Sequence, residues 1–157
     1  MTEAQLELPL AFYEQPLAVY ESPPETMVRE FNRAMQSSSD PELWDTLVAE
    51  EAREVREAAA ALLKELVDYS YVLIGRQQQT GKRPTLDEHP MLRASEVLTM
   101  EIFGPVAAEA FKRVHASNMS KLGPGGVPER RGDGKVLKGD AYVAPDLSDL
   151  IERLIHS

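Results

Sequence analysis

Two acidic clusters separated by ten strongly helix-forming residues constrain the fold of this chain more than any other feature. Glu50, Glu51 and Glu54 form an EExxE pattern, and Glu65 and Asp68 follow as ExxD. An α-helix repeats every 3.6 residues, so the members of each cluster share a face of a helix. The spacer between the clusters, VREAAAALLK, contains no Gly, Pro, Asn or Ser. Both clusters are therefore predicted to be helical.

The acidic clusters also predict a magnesium site. Apolar residues recur around them and indicate a core-facing surface: Leu47, Val48, Val55, Leu62, Leu66, Val67, Val72 and Leu73. A carboxylate on such a surface must be paired or bound to a metal ion, and Arg53, Arg56 and Lys64 are too few to neutralise five. Oxygen ligands without Cys or His favour Mg²⁺ or Mn²⁺ over Zn²⁺. The alternative is a solvated acidic face.

The spacer leaves two geometries open for such a site. On a straight helix Glu54 and Glu65 would share a side but lie about 16 Å apart, whereas each ligand lies about 2.1 Å from a bound Mg²⁺. Either the chain reverses tightly around residues 57–61, or a long helix combines its carboxylates with those of a second subunit.

Composition predicts one α-rich globular domain. The 157 residues are 43% hydrophobic but only 6% aromatic, and long stretches lack Gly and Pro. A net charge of −9 argues against a nucleic-acid-binding surface, because phosphate contacts need clustered Lys and Arg. The absence of cysteine excludes disulfides and Cys-based zinc sites and fits a reducing interior. We expect neither a membrane span nor a signal peptide, and hence a cytoplasmic protein.

The chain is predicted to be all-α, a helical bundle completed by oligomerisation. Residues 1–25 contain a proline-rich near-repeat and are predicted to form an extended arm that packs on the bundle or on a partner subunit. Residues 26–157 form the predicted domain. Helices are expected at about 25–36, from 41 through the EExxE pattern, around the ExxD pattern to an end near Gly75 or the glutamines at 77–79, and at 92–103, 106–120 and 147–155. The Gly- and Pro-rich residues 122–145 are predicted to be a long loop docked through Val136, Leu137, Tyr142 and Val143.

Several motifs together resemble those of the MazG-like all-α nucleoside triphosphate pyrophosphohydrolases. They are EEARE at 50–54, ELVD at 65–68, FKRVHASNMSKL at 111–122 and GDGKVLKGDAYVAPDL at 132–147. The second half is similar to the bacterial and phage branch that lies between MazG, phosphoribosyl-ATP pyrophosphohydrolase and the dimeric dUTPases. The resemblance covers residues 26–157.

The resemblance implies hydrolysis of a nucleoside triphosphate between its α and β phosphates, giving the monophosphate and diphosphate. Glu51, Glu54, Glu65 and Asp68 would hold Mg²⁺, for which Mn²⁺ can substitute, and Glu50 would bind a further ion or orient the attacking water. Glu50 and Glu54 are the implied catalytic residues. Family members act as homodimers or dimers of dimers and fold back between the two acidic motifs, so the resemblance favours the tight reversal.

The resemblance also implies binding residues for the nucleotide. Asn118, Lys121, Lys135 and Lys138 would contact phosphates. Phe31, Asn32, Met35 and Trp44 would form the base pocket. The expected substrate is dUTP or a purine deoxynucleotide such as dGTP. Two alternatives stay open: a phosphoribosyl-ATP pyrophosphohydrolase, and a non-catalytic helical interaction module that keeps its acidic clusters as solvated faces.

Overall fold

A computed structural model of the chain describes residues 24–157, apart from the side chain of Pro124. The predicted arm, residues 1–25, lies almost entirely outside the described residues. The chain divides into two compact units, Met1–Thr46 and Leu47–Ser157. Residues 24–157 form five α-helices: α1 Pro24–Ala34, α2 Pro41–Thr80, α3 Met91–Val97, α4 Gly104–Met119 and α5 Ser148–Ile155. Residues 24–157 contain no β-strand and only two isolated bridges, so the expected all-α class is confirmed.

Helix α2 is a single unbroken helix of 40 residues, and the predicted reversal around residues 57–61 is therefore wrong. The spacer consists of residues with high helix propensity, so nothing in it favours a turn. Ion pairs one helical turn apart support the helix on both sides of the spacer. Arg53 Nη1 lies 2.6 Å from Glu57 Oε1, and Lys64 Nζ lies 2.8 Å from Asp68 Oδ2.

Side-chain and backbone caps set the two ends of α2. The Glu42 amide donates to Asp40 Oδ1 at 3.0 Å, which satisfies one of the free amides at a helix start, and the start predicted from Asp40 and Pro41 is confirmed. At the other end Gly81 has a φ of +70°, and its amide donates to the Gln77 carbonyl at 2.8 Å. Glycine adopts this left-handed conformation without steric cost and so ends the helix.

The core of the second unit joins the second half of α2 to α4 and α5. Its buried members are Leu63, Leu66, Val67, Phe103, Val106, Ala110, Val114, Leu147, Leu150 and Ile151. Burial of each large apolar side chain stabilises the fold by about 1.5–3 kcal/mol. Ion pairs at the rim add contacts between the same helices: Arg56 Nε lies 3.2 Å from Glu152 Oε1, and Arg113 pairs with Asp149.

The first half of α2 is not core-facing, contrary to the prediction from its apolar residues. Of the eight apolar positions around the acidic clusters, only Leu66, Val67 and Leu73 are buried. The other five are exposed: Leu47, Val48, Val55, Leu62 and Val72. Within residues 24–157, the core contacts α2 from Ala59 onward.

The remaining helices lie close to their predicted positions. The helix expected at 92–103 is α3 followed by a π-helical turn, Leu98–Ile102, and Phe103 behind it is buried. Pro105 stands in the first turn of α4, where its missing amide costs no hydrogen bond. None of the described helices is both long enough and apolar enough to cross a membrane.

Residues 120–147, between α4 and α5, hold a three-residue 3-10 turn at Pro124–Gly126 and two isolated bridges. Docking of this segment through Val136, Leu137, Tyr142 and Val143 stays a prediction. The hydrogen bonds that join the segment to the end of α4 involve the backbone of Val143. Ser117 Oγ donates to the Val143 carbonyl at 2.7 Å, and the Val143 amide donates to Ser120 Oγ at 2.9 Å. The Val143 side chain itself is exposed.

Candidate functional site

The five predicted metal ligands form a stripe along one side of α2. With 3.6 residues per turn, Glu50, Glu51, Glu54, Glu65 and Asp68 fall within an arc of about 100°. At a rise of 1.5 Å per residue, the stripe is about 27 Å long. The four glutamates are exposed and Asp68 is half-buried.

These carboxylates do not converge within one chain. Among residues 24–157, no group of three or more His, Cys, Asp or Glu side chains is placed to hold a metal ion. Carboxylate oxygens are suitable ligands for Mg²⁺. In a single copy, however, the unbroken helix keeps the two clusters too far apart to bind one ion together.

Basic side chains partly neutralise the acidic stripe. Lys64 Nζ donates to Glu65 Oε1 and to Asp68 Oδ2, each at 2.8 Å. The hydrogen bonds from Asp68 and then Glu65 raise the pKa of Lys64 to about 12, so this ammonium stays charged at ordinary pH. Arg53 pairs more closely with Glu57 than with Glu54, whose Oε1 lies 3.9 Å from Arg53 Nη2.

Three of the four predicted phosphate-binding residues lie in one neighbourhood at the end of α4. Lys121 Nζ donates to Asn118 Oδ1 at 2.5 Å. Lys121 and Lys138 both lie over the ring of Tyr142, with Nζ atoms 5.9 and 4.5 Å from its centroid. Lys121 and Lys138, which are 17 positions apart in the sequence, thus lie beside the same aromatic ring.

Lys135, the fourth predicted phosphate-binding residue, lies in a separate turn. Its amide donates to Asp133 Oδ1 at 3.1 Å, and its side chain is exposed. The Asp133 carboxylate also pairs with Arg131, which holds the pKa of Asp133 below its usual value together with the Lys135 amide.

Sequence reasoning did not assign Tyr142, Ser117 or Ser120 to this neighbourhood. Ser117 and then Lys138 lower the pKa of Tyr142 below its usual value, against the opposing effect of burial. Serines at a helix end often bind their local backbone, but Ser117 and Ser120 bind Val143 in a distant segment, which the sequence pattern does not indicate.

A cavity of about 420 Å³ opens beside Lys121. Its walls come from residues 121–123 and 127–129 on one side and residues 139–141 on the other. They include two carboxylates, Glu129 and Asp140, together with one ammonium group, Lys121. The cavity therefore combines both signs of charge.

The predicted base-binding residues belong to the first unit. Phe31 and Met35 are one helical turn apart and are 58% and 63% exposed, while Asn32 is half-buried. Trp44 stands in the first turn of α2, and its indole Nε1 donates to the Ser38 carbonyl at 2.7 Å. Phe31 and Met35 thus expose apolar surface.

A row of exposed apolar residues runs beside the acidic stripe on α2. Val48, Val55 and Leu62 recur every seven residues and are 65%, 67% and 43% exposed. On an ideal helix their row is centred about 100° from the centre of the acidic stripe, on the side toward the core-facing residues. A heptad row of this kind packs against a second helix in helical assemblies.

In comparisons with known proteins, no protein-family model, curated protein or solved structure matches this chain.

Proposed function

We propose that this protein is a Mg²⁺-dependent nucleoside triphosphate pyrophosphohydrolase whose metal site is assembled from the carboxylates of two copies of the chain. The sequence motifs suggest the reaction. The unbroken helix α2 supports the second of the two geometries, a site shared between subunits. The protein would then act as a homodimer or a dimer of dimers.

The observation that carries the proposal is the exposed row Val48, Val55 and Leu62 beside the acidic stripe. Leaving such side chains in water forgoes about 25 cal/mol for each Å² of apolar surface, and a second copy of α2 would cover them. Packed helices lie 8–10 Å apart between axes. An antiparallel α2 pair would bring the EExxE cluster of one copy toward the ExxD cluster of the other.

The side chains of this chain have distinct roles in the proposed reaction. A divalent ion, when bound, would neutralise phosphate charge and favour in-line attack. Glu51, Glu54, Glu65 and Asp68 would hold it, and Glu50 or Glu54 would accept a proton from the attacking water. The ammonium groups of Lys121 and Lys138 would bind phosphate oxygens through charge-assisted hydrogen bonds.

For the base, we propose stacking on Phe31 or Trp44 and polar selection by Asn32, with Met35 as an apolar wall. The leading substrates are dUTP and a purine deoxynucleotide such as dGTP. We place the reaction in the cytoplasm, in keeping with the cysteine-free composition.

A screen of all ribo- and deoxynucleoside triphosphates with Mg²⁺, read out as released diphosphate, tests the reaction and ranks the bases. The change Glu54→Gln is expected to abolish release while the circular dichroism spectrum stays the same, because the amide removes one ligand charge. Glu57→Gln is the matched control, since Glu57 pairs with Arg53 outside the stripe. Wild-type turnover by Glu54→Gln would remove that residue from the mechanism.

A second candidate function is a non-catalytic helical interaction module. The observation that favours it is the exposure of the acidic stripe, with the Glu65 side chain 72% exposed and paired with Lys64. Calorimetric titration with Mn²⁺ separates the two candidates. Binding that raises the melting temperature favours the enzyme, and no binding at millimolar metal favours the module.

A further inference from the structure

Two lysines from different parts of the chain lie over a single aromatic ring. Lys138 Nζ is 4.5 Å and Lys121 Nζ is 5.9 Å from the centroid of the Tyr142 ring. The face of a tyrosine ring attracts ammonium groups within about 6 Å of its centroid. Tyr142 therefore brings together two positive charges that would otherwise be carried on separate, mobile side chains.

The ring of Tyr142 is held in place by hydrogen bonds of the backbone around it. Its own amide donates to the Gly139 carbonyl at 3.0 Å, which closes a turn directly after Lys138. The next residue, Val143, is bonded through its carbonyl to Ser117 of α4 and through its amide to Ser120, directly after α4. The aromatic platform is thus built before any ligand arrives.

The ammonium groups of Lys121 and Lys138 are not neutralised by a carboxylate of the described chain. Within residues 24–157, neither Lys121 nor Lys138 has a carboxylate oxygen within 4 Å of its Nζ atom. Lys121 donates instead to Asn118 Oδ1, a neutral acceptor. Both ammonium groups beside the Tyr142 ring therefore keep a positive charge that can attract an anion.

We propose that Tyr142 is a positioning residue that holds Lys121 and Lys138 as a paired binding site for a linear phosphate chain. The inference rests on the proposed function, because it states how that substrate's phosphates are bound. Tyr142 acts through the two lysines and not on the reacting atoms. Lys121 also lines the neighbouring cavity, where the carboxylates of Glu129 and Asp140 repel anions. The phosphate chain would therefore lie at the two ammonium groups and away from those carboxylates.

The test uses inorganic triphosphate as the probe, with the full chain in EDTA, so that it is independent of metal and of turnover. Calorimetry is expected to give a measurable Kd for the wild type. Lys138→Met and Tyr142→Leu should each raise this Kd about tenfold. Lys138→Met removes one charge-assisted contact, and Tyr142→Leu removes the aromatic ring that positions the lysines. Tyr142→Phe keeps the ring and should stay within about threefold of the wild type. Lys112→Met, an equal charge change at an exposed site of α4, is the control.

The phenylalanine variant and steady-state kinetics distinguish the positioning role of Tyr142 from a merely structural role. If Tyr142→Leu lowers the melting temperature but binds triphosphate like the wild type, the positioning role is wrong. The positioning role is also wrong if the wild type does not bind triphosphate. Should Tyr142→Leu not fold, the triphosphate Kd of Lys138→Met decides, because the Lys138 side chain is exposed and its replacement should leave the fold intact. An unchanged Kd in Lys138→Met would contradict the paired site. With a hydrolysed nucleotide, Tyr142→Leu is expected to raise KM more than it lowers kcat.

The two proposals fail in different ways. Triphosphate binding that is lost in Tyr142→Leu, without cleavage of any nucleoside triphosphate, supports the anion site and contradicts the proposed function. Cleavage with an unchanged KM and an unchanged triphosphate Kd in Tyr142→Leu supports the function and contradicts the anion site.

Discussion

At the scale of single residues, Lys64 decides how available the second acidic cluster is. Its Nζ atom donates to both Glu65 and Asp68 at 2.8 Å, and their hydrogen bonds raise the pKa of Lys64 to about 12. A divalent ion at these carboxylates must therefore share them with a fixed ammonium charge or displace it. Deprotonation does not relieve this competition at ordinary pH, because the pKa lies far above it.

The change Lys64→Gln is expected to tighten Mn²⁺ binding about fivefold, because it removes a positive charge that repels the metal ion. Isothermal titration calorimetry of the wild type and the variant measures this directly. Lys112→Gln, on the exposed side of α4, provides the matched control. Weaker binding by Lys64→Gln would show that the lysine supports the metal site and does not compete for it.

At the scale of elements, local sequence preference predicted α2 better than family resemblance did. The spacer has high helix propensity, and the structure continues the helix through it. The resemblance to the MazG-like family favours a tight reversal, because members of that family fold back between the two acidic motifs. In this chain only Ala59 and Ala60 of residues 57–61 reach the core, so tertiary contacts do not oppose the local preference.

The continuity of α2 can be tested with Ala58, an exposed position of the spacer. Ala58→Gly is expected to lower the free energy of unfolding by about 1 kcal/mol, and Ala58→Pro by about 3 kcal/mol or more, as in a helix interior. Chemical denaturation measures both values. Ala144→Gly, in the segment before α5, is the control with a smaller expected cost. A neutral or stabilising effect of Ala58→Gly would indicate a turn at this position.

Parts of the candidate site could be predicted from sequence, and other parts could not. The acidic positions and the cluster of Asn118 with Lys121 follow from helical spacing, since residues three or four apart share a face. The meeting of Lys121 with Lys138 depends on a turn and on serine bonds to the Val143 backbone. Contacts of this kind join distant residues through irregular backbone, which has no periodic signal in the sequence.

At the scale of the whole molecule, the second unit leaves more large apolar side chains exposed than it buries. Single exposed apolar residues are common on proteins, but Val48, Val55 and Leu62 form a continuous row on α2. The sequence predicted these residues to face a core, and the core of one copy does not cover them. A second copy of α2 would supply the missing apolar surface and bring a second acidic stripe next to the first.

The change Val55→Asp is expected to convert the protein to monomers, because it places a charge in the proposed contact. Val55 is 67% exposed in one copy, so the folded monomer should survive with little change in its circular dichroism spectrum. Sedimentation velocity measures the association state. Val127→Asp, at a residue with 68% exposure outside α2, is the control, and equal behaviour of the two variants would place the contact elsewhere.

Mixing two inactive variants tests the central claim, that carboxylates of two copies form one metal site, most directly. Glu54→Gln and Glu65→Gln are each expected to be inactive alone, since each removes a ligand from every site. In a symmetric pair made from one copy of each, one of the two sites keeps both wild-type carboxylates. Co-refolding in equal amounts should therefore restore about one quarter of wild-type diphosphate release. No recovery, with mixed pairs demonstrated by differential tags, would contradict a site shared between two subunits.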